Sequence, residues 1–158
     1  MPADARVAAG PLPGETTTDV VIVGAGLTGL WTAYYLAAAD PALRIVVVDA
    51  ATIGFGASGR NGGWCSGFLP MSLSTMSDRH GRYGAVAMQR AMYDTVGEVG
   101  RILAAEGADA GFRHGGTLSL ARTAAQEERL RADLAEARQF GFGEEDVRWL
   151  GAGAVASR

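Results

Sequence analysis

Two short apolar runs, in which most residues are β-branched, occur early in the chain: Asp19 to Gly24 and Arg44 to Asp49. Runs without polar alternation are typical of strands buried on both faces of a parallel sheet. Between them, residues 26–39 predict a helix that ends at Asp40-Pro41. Its apolar positions share one face: Leu27, Leu30, Tyr34 and Ala38. Strand, helix and strand together predict a right-handed βαβ unit with a parallel sheet.

Beyond this unit the pattern predicts a loop, a long helix and a strand. Residues 50–67 hold six glycines and predict a loop. Residues 82–106 carry apolar side chains at intervals of three or four, which predicts a helix. Residues 115–121 alternate polar and apolar side chains, which predicts a half-buried strand.

A last long helix has recognisable ends. Thr123 and Gln126 form a capping-box pattern, which predicts the start of the helix. Gly141 lies where this helix is expected to end. Residues 147–158 begin a further element, and residues 1–18 are expected to form an extended tail.

Composition and charge exclude several classes of protein. The chain has 158 residues, of which 48% are hydrophobic and 20% charged, as in one globular domain or part of one. The net charge is −3 and no long basic run occurs, so we expect no nucleic-acid partner. All fourteen basic residues are arginine, which excludes a lysine Schiff base and a P-loop lysine.

Cysteine, histidine and hydropathy exclude further classes. The single cysteine, Cys65, excludes an internal disulfide framework and a cysteine-based zinc site. His80 and His114 have no partner at metal or triad spacing, so we expect no metal. No apolar stretch approaches the roughly 20 residues that span a bilayer, and residues 1–18 lack a signal-peptide core. We therefore expect a cytoplasmic protein without a membrane partner.

A glycine pattern follows the first predicted strand: Gly24-Ala25-Gly26-Leu27-Thr28-Gly29, which matches G-x-G-x-x-G. Gly24 permits a tight turn, Gly26 lets a pyrophosphate approach the backbone, and Gly29 lets helix and strand pack closely. The N–H groups that open the helix attract phosphates. Asp49, which ends the second strand, suits ribose hydroxyls and disfavours a 2′-phosphate. The pattern indicates a dinucleotide site; the alternative is a glycine-rich turn in an ordinary α/β domain.

A second glycine-rich loop, residues 54–63, follows the second predicted strand almost at once. NAD and FAD share the first pattern, but a plain NAD domain normally enters its second helix here. The loop instead offers backbone amides, the Ser58 hydroxyl, the Arg60 guanidinium and Asn61, the one asparagine of the chain. These groups suit a second contact with a long dinucleotide. The alternative is a surface loop whose glycines serve its turns.

These motifs resemble those of the D-amino-acid-oxidase-like FAD-dependent oxidoreductases, and most of all their gamma-glutamylputrescine oxidase-like branch. The resemblance rests on Asp19–Gly29, Asp49 and Gly54–Gly63. It continues through four short segments: Arg90-Ala91-Met92, Gly115-Gly116-Thr117-Leu118, Ala121-Arg122-Thr123 and Arg148-Trp149-Leu150.

The resemblance implies FAD bound in extended form, with adenosine on Asp49 and pyrophosphate at Gly26–Gly29. The loop from Ser58 to Gly62 would lie near the pyrophosphate and the flavin. The cofactor-binding residues implied are Gly24, Gly26, Leu27, Thr28, Gly29, Asp49, Ala50, Ser58, Gly59, Arg60, Asn61 and Gly62. Some relatives attach flavin through a histidine here, but residues 50–79 contain none, so we expect noncovalent FAD. Cys65 is an alternative tether, although a lone cysteine is more commonly a small buried hydrophobe.

The implied reaction removes a hydride from the carbon beside an amine nitrogen and delivers it to flavin N5. The resulting imine would hydrolyse in water. The implied substrate is a small amine or amino acid. We identify no catalytic acid or base among the residues of this chain.

The expected fold class is α/β, a Rossmann-like FAD-binding βαβ unit followed by the start of an incomplete α+β substrate domain. Residues 19–80 would form the N-terminal part of the FAD-binding domain. Residues 81–158 would form a helical connection and the start of the substrate domain. Since family members are considerably longer, we expect a fragment. Two alternatives remain open: an NAD-dependent dehydrogenase with an unusual loop, and a nonenzymatic, truncated nucleotide-binding module.

Overall fold

A computed structural model describes residues 10–156 of the chain. The elements in chain order are β1 (Val20–Val23), α1 (Leu27–Ala39), β2 (Ile45–Val48), a 3₁₀ turn (Ala57–Gly59), α2 (Leu73–Ala105), α3 (Ala124–Gln139) and α4 (Ala152–Ala156). Residues 1–9 of the predicted tail lie outside the described residues. Residues 157–158 of the last predicted element lie outside them too. Contacts divide the chain into two compact units, one ending at Trp64 and one beginning at Cys65.

The first unit contains the predicted βαβ arrangement. Strands β1 and β2 pair in parallel, with Val20 opposite Ile45 and Val23 opposite Val48. Helix α1 connects them and packs against both strands. The prediction of a parallel α/β unit is therefore confirmed for this part of the chain.

The expectation that both strands are buried on both faces is wrong for the described residues. Val21 is 58% exposed and Val23 is 84% exposed, while β2 is only half-buried. The sheet formed by residues 10–156 has two strands, and within the first unit α1 is the helix that packs on it. The predicted face of α1 also differs, because Leu27 and Leu30 are exposed.

A charged clamp joins the starts of the two strands. The Arg44 side chain donates from Nε and Nη2 to the two Asp19 carboxylate oxygens, at 3.0 and 2.9 Å. The Arg44 backbone N–H adds a third bond to the same carboxylate, at 2.9 Å. These donors lower the pKa of Asp19 to about 2. The clamp therefore holds an ionised carboxylate at neutral pH.

Helix α2 of the second unit is interrupted at Gly81, where φ is 75° and ψ is 159°. The part after Gly81 matches the predicted helix of residues 82–106 and ends at Ala105. The part before Gly81 was not predicted. It begins after Ser72, whose hydroxyl accepts a hydrogen bond from the Thr75 backbone N–H at 3.1 Å.

The core of the second unit is built from side chains of α2 and of the segment after α3. The buried apolar residues here are Leu73, Met76, Ala85, Ile102 and Phe142. The Phe142 ring meets the Tyr93 ring edge-on at 5.9 Å and lies 4.7 Å from the Arg90 guanidinium. Arg90 also pairs with the Asp146 carboxylate. Burial raises the pKa of Tyr93, and the nearby charge of Asp146 adds to this shift.

The predicted strand of residues 115–121 does not form. Residues 115–121 contain no β-strand, and Leu118 and Leu120 are 47% and 59% exposed. Alternation marks a sequence that can line a sheet, but a strand also needs a neighbour for its hydrogen bonds. No strand among residues 10–156 pairs with this segment.

The predicted ends of α3 are confirmed. The Thr123 hydroxyl accepts from the Gln126 N–H at 3.3 Å, and the Gln126 side-chain oxygen accepts from the Arg122 N–H at 2.7 Å. At the other end Gly141 has a φ of 88°, and the Phe142 N–H bonds back to the Ala137 carbonyl at 3.0 Å. This is the Schellman arrangement that glycine favours, because its φ is positive.

Candidate functional site

The first glycine pattern forms a tight turn between β1 and α1. Gly24 has a φ of 108°, a backbone conformation that other residues rarely adopt. Its N–H donates to the Val48 carbonyl at 2.7 Å, so the turn begins where the sheet ends. Ala25, the next residue, is only 4% exposed. The turn is therefore bonded to the end of the sheet and buries one of its residues.

Gly29 lies where α1 approaches this turn most closely. A Cβ at Gly29 would lie 2.0 Å from the Gly24 carbonyl oxygen and 3.2 Å from the Ile22 side chain. The first of these atoms belongs to the backbone and cannot rotate away. Only glycine fits at this position without moving the helix or the turn.

The N-terminus of α1 is open to an anion. Its N-cap, Gly26, has no side chain that could cap the helix. The Leu27 N–H donates to the Ser58 hydroxyl at 2.9 Å. Within residues 10–156, the N–H groups of Thr28 and Gly29 have no acceptor. Unpaired N–H groups and the positive end of the helix dipole favour a phosphate oxygen at such a place.

Asp49 lies at the end of β2 and binds the turn directly. Its Oδ2 accepts a hydrogen bond from the Ala25 N–H at 2.8 Å, and its Oδ1 accepts from the Ala51 N–H at 2.9 Å. These two backbone donors, Ala25 first, lower the pKa of Asp49. Asp49 is exposed, so the ionised carboxylate keeps lone pairs for an incoming hydroxyl. Ala50, beside it, is exposed too.

The second glycine loop lies against the first turn. The Gly54 N–H donates to the Ala25 carbonyl at 2.9 Å. A Cβ at Gly59 would lie 2.2 Å from the Gly54 carbonyl oxygen, so the loop also folds tightly on itself. Together with the bond from Leu27 to Ser58, these contacts bring the two glycine segments together.

Two of the predicted polar side chains bind within their own loop. Arg60 donates from Nε to the Phe55 carbonyl at 2.9 Å, and its guanidinium lies 4.8 Å from the centre of the Phe55 ring. Asn61 donates to the Ser58 carbonyl at 2.6 Å and accepts from the Gly63 N–H at 2.7 Å. Both side chains therefore shape the loop. Gly62 is exposed, and nothing would meet a Cβ there within 4 Å.

The structure thus brings together the residues of the first turn, Asp49 and Ser58 through direct hydrogen bonds. Two further residues of this site were not predicted, Ala25 and Gly54, whose mutual bond joins the loops. Ala25 occupies a variable position of the glycine pattern, which gives no signal in the sequence. The Thr52 hydroxyl is buried and lacks a hydrogen-bond partner within the described part of the chain.

Other candidate features are absent or differ from expectation. Cys65 is exposed, so the small buried hydrophobe expected for a lone cysteine is not found. No group of three or more metal-ligating side chains occurs among residues 10–156. None of the described helices combines the length and apolar character needed to cross a membrane.

Comparison with known families assigns the chain. The FAD dependent oxidoreductase family, DAO, matches residues 19–158. The match covers most of the chain, which therefore belongs to this family, and FAD is the cofactor of the family.

Two curated relatives match a shorter stretch. Gamma-glutamylputrescine oxidoreductase of Escherichia coli (strain K12) is 57% identical over 47 residues, which is 30% of this chain and 11% of that protein. Probable oxidoreductase OrdL of Rhizobium meliloti (strain 1021) is 46% identical over 52 residues, 33% of this chain and 12% of that protein. The matches thus span only a small part of either relative. No solved structure matches the chain significantly.

The geometry of the first unit fits the cofactor of the family. Thr28 and Gly29 offer unpaired N–H groups to phosphate oxygens, and a glycine N-cap leaves the approach open. Asp49 offers an ionised carboxylate close to this opening, since it bonds to Ala25. An anion donor set and a hydroxyl acceptor side by side are what a dinucleotide requires.

Proposed function

We propose that this chain is part of an FAD-dependent enzyme that oxidises a C–N bond of a small amine or amino acid. The observation that carries the proposal is the joined pair of glycine loops, with unpaired amides of α1 on one side and ionised Asp49 on the other. Family membership supports the cofactor. The printed name of the Escherichia coli relative, an oxidoreductase of gamma-glutamylputrescine, supports an amine as substrate.

The chain's own residues would bind and orient the cofactor. The N–H groups of Thr28 and Gly29 would hold the diphosphate, and Asp49 would accept hydrogen bonds from the adenosine ribose. Ser58 and its loop would close the same site from the other side. The remaining predicted binding residues stay in the proposal as loop or turn positions: Gly24, Gly26, Leu27, Ala50, Gly59, Arg60, Asn61 and Gly62.

When bound, FAD supplies an acceptor for the hydride that leaves the carbon beside the amine nitrogen. We assign no acid or base in residues 10–156 to this reaction. The proposed division of the chain, with cofactor binding in residues 19–80 and the start of a substrate domain in residues 81–158, follows from the resemblance alone. A cytoplasmic location is proposed with it.

The experiment is an absorbance spectrum of the purified full-length protein, followed by anaerobic addition of amines and amino acids. We expect the two absorption bands of bound flavin, and bleaching by at least one amine. The matched control for each amine is the alcohol of the same carbon skeleton, which should not bleach the flavin. Absence of flavin with a fluorescence response to NADH, or bleaching by alcohols alone, would contradict the proposal.

A further inference from the structure

Ser58 caps a helix that lies 31 residues before it in the chain. Its hydroxyl accepts a hydrogen bond from the Leu27 N–H, the first amide of α1, at 2.9 Å. Most helices take this cap from the side chain of their own N-cap residue. Here the N-cap is Gly26, which has no side chain, so the cap has to come from elsewhere.

The fit between Ser58 and the helix is close. A Cβ at Gly26 would lie 3.0 Å from the Ser58 hydroxyl oxygen, which is tighter than most real contacts of this kind. The missing side chain at Gly26 therefore makes room for the hydroxyl of Ser58. The same glycine that a dinucleotide requires also admits the cap from the second loop.

Ser58 is itself held in place by its own loop. Asn61 donates from its side chain to the Ser58 carbonyl at 2.6 Å and accepts from the Gly63 N–H. On the other side of Ser58, the Gly54 N–H donates to the Ala25 carbonyl at 2.9 Å. The loop is thus fixed to the first turn at two points, one of which is a single hydroxyl.

We propose that Ser58 is a positioning residue that fastens the second glycine loop to the N-terminus of α1 before the cofactor binds. The inference rests on the proposed function, in which this N-terminus holds the FAD diphosphate. Ser58 uses the Leu27 amide and leaves those of Thr28 and Gly29 unpaired. One amide at the helix N-terminus therefore binds the loop, and the next two amides remain for the ligand. A site arranged in advance loses less entropy on binding, which improves affinity.

The test is Ser58→Ala in the full-length protein, with two measurements. Amide exchange of the cofactor-free protein should accelerate about tenfold at Leu27 and Gly54, because one hydrogen bond is lost. The Kd for FAD, measured by quenching of flavin fluorescence, should rise about tenfold. Ser58→Thr keeps the hydroxyl and should restore both values to within about threefold.

Ser72→Ala is the matched control. Ser72 also caps a helix with its hydroxyl, but it does so within the second unit, through the Thr75 N–H. Its replacement should accelerate exchange at Thr75 and leave the Kd for FAD unchanged. An equal loss of FAD affinity in this variant would show that general destabilisation, not positioning, explains the Ser58 result.

Other outcomes are equally decisive. A higher Kd in Ser58→Ala with unchanged exchange at Leu27 and Gly54 would make Ser58 a direct ligand and overturn the positioning role. If Ser58→Ala does not fold, the wild-type protein decides, because unprotected amides at Leu27 and Gly54 without FAD would contradict the proposal. Wild-type protein that does not bind FAD would instead refute the proposed function.

Discussion

The two units of the chain are stabilised in different ways. Among residues 10–64 of the first unit, Ala25 is the one buried apolar residue, and backbone hydrogen bonds and close glycine contacts define the turn and loops of this unit. In the second unit, five apolar side chains are buried, and Phe142 is exposed by only 2%. The first unit depends on close approach of backbone atoms, and the second on packing of side chains.

This difference explains where substitutions should matter for binding and where they should matter for stability. Close backbone approach tolerates no added atom, so the glycine turn should lose its geometry with a single Cβ. A side-chain core loses stability in proportion to the volume removed.

The largest effect is expected for Gly29→Val. Its Cβ would lie 2.0 Å from the Gly24 carbonyl oxygen, so helix and turn have to separate. We expect a loss of about 5 kcal/mol in the free energy of unfolding, or complete loss of the folded first unit, and no retained flavin. The matched control is Gly97→Val in α2, where nothing lies within 4 Å. Denaturant titration should show a change below about 0.5 kcal/mol for this control, and equal losses in both variants would contradict the comparison.

A second large effect, on stability alone, is expected for Phe142→Ala. The ring is buried against Tyr93 and Arg90, so its removal leaves a cavity that costs about 3–5 kcal/mol in the free energy of unfolding. Tyr83→Ala, at a position that is 88% exposed, should cost less than about 0.5 kcal/mol. FAD affinity of folded Phe142→Ala protein should stay within about threefold of wild type. A large loss of FAD affinity in folded Phe142→Ala protein would mean that FAD binding depends on the side-chain core of the second unit.

A moderate effect on binding is expected for Asp49→Asn. The amide keeps one acceptor oxygen and places its NH2 group opposite the N–H group of either Ala25 or Ala51, so the Kd for FAD should rise about tenfold. Because the pKa of Asp49 is lowered, wild-type affinity should persist as pH falls below the ordinary range of a carboxyl group, and be lost only on protonation. Asp40→Asn is the control, since Asp40 also accepts from a backbone N–H, that of Ala42. Equilibrium titration that shows the same shift for both variants would remove the special role of Asp49.

The smallest effect is expected at the Asp19–Arg44 clamp. The pKa of the Asp19 carboxyl in the folded protein is about 2, below its value of about 4 in the unfolded chain. The clamp therefore stabilises the fold fully above pH 4. The difference in Tm between wild type and Asp19→Asn should be small at pH 7. It should shrink as pH falls from about 4 to about 2, where the wild-type carboxylate takes up its proton. A difference that grows in acid would contradict this sign.

Local signals in the sequence predicted much of the fold. The two strands of the parallel pair, the glycine turn and the helix start at Thr123 each have a signal in a short stretch of sequence, and the structure confirms each of them. The helix before Gly81 had a comparable signal, since Ser72 precedes an apolar spacing from Leu73 to Met76. That signal is short, and the glycine that follows it interrupts the period.

The errors have a common physical origin in contacts between distant residues. Burial of Val21 and Val23 depends on what packs on the sheet, and the alternation of residues 115–121 forms a strand only beside a partner. For the same reason, the family resemblance implies that Ser58 lies near a pyrophosphate, but no signal in the sequence indicated its bond to Leu27. The use of these residues in cofactor binding stays a prediction.

Titration of cofactor-free protein with FAD, run in parallel on wild type and Gly26→Val, tests the account most directly. The Cβ of the valine would lie 3.0 Å from the Ser58 hydroxyl oxygen, at the N-terminus of α1, where the diphosphate is proposed to bind. We predict saturable binding of one FAD per wild-type chain and no saturable binding by folded Gly26→Val protein. Equal affinity in the two proteins, or no binding by wild type, would contradict the account.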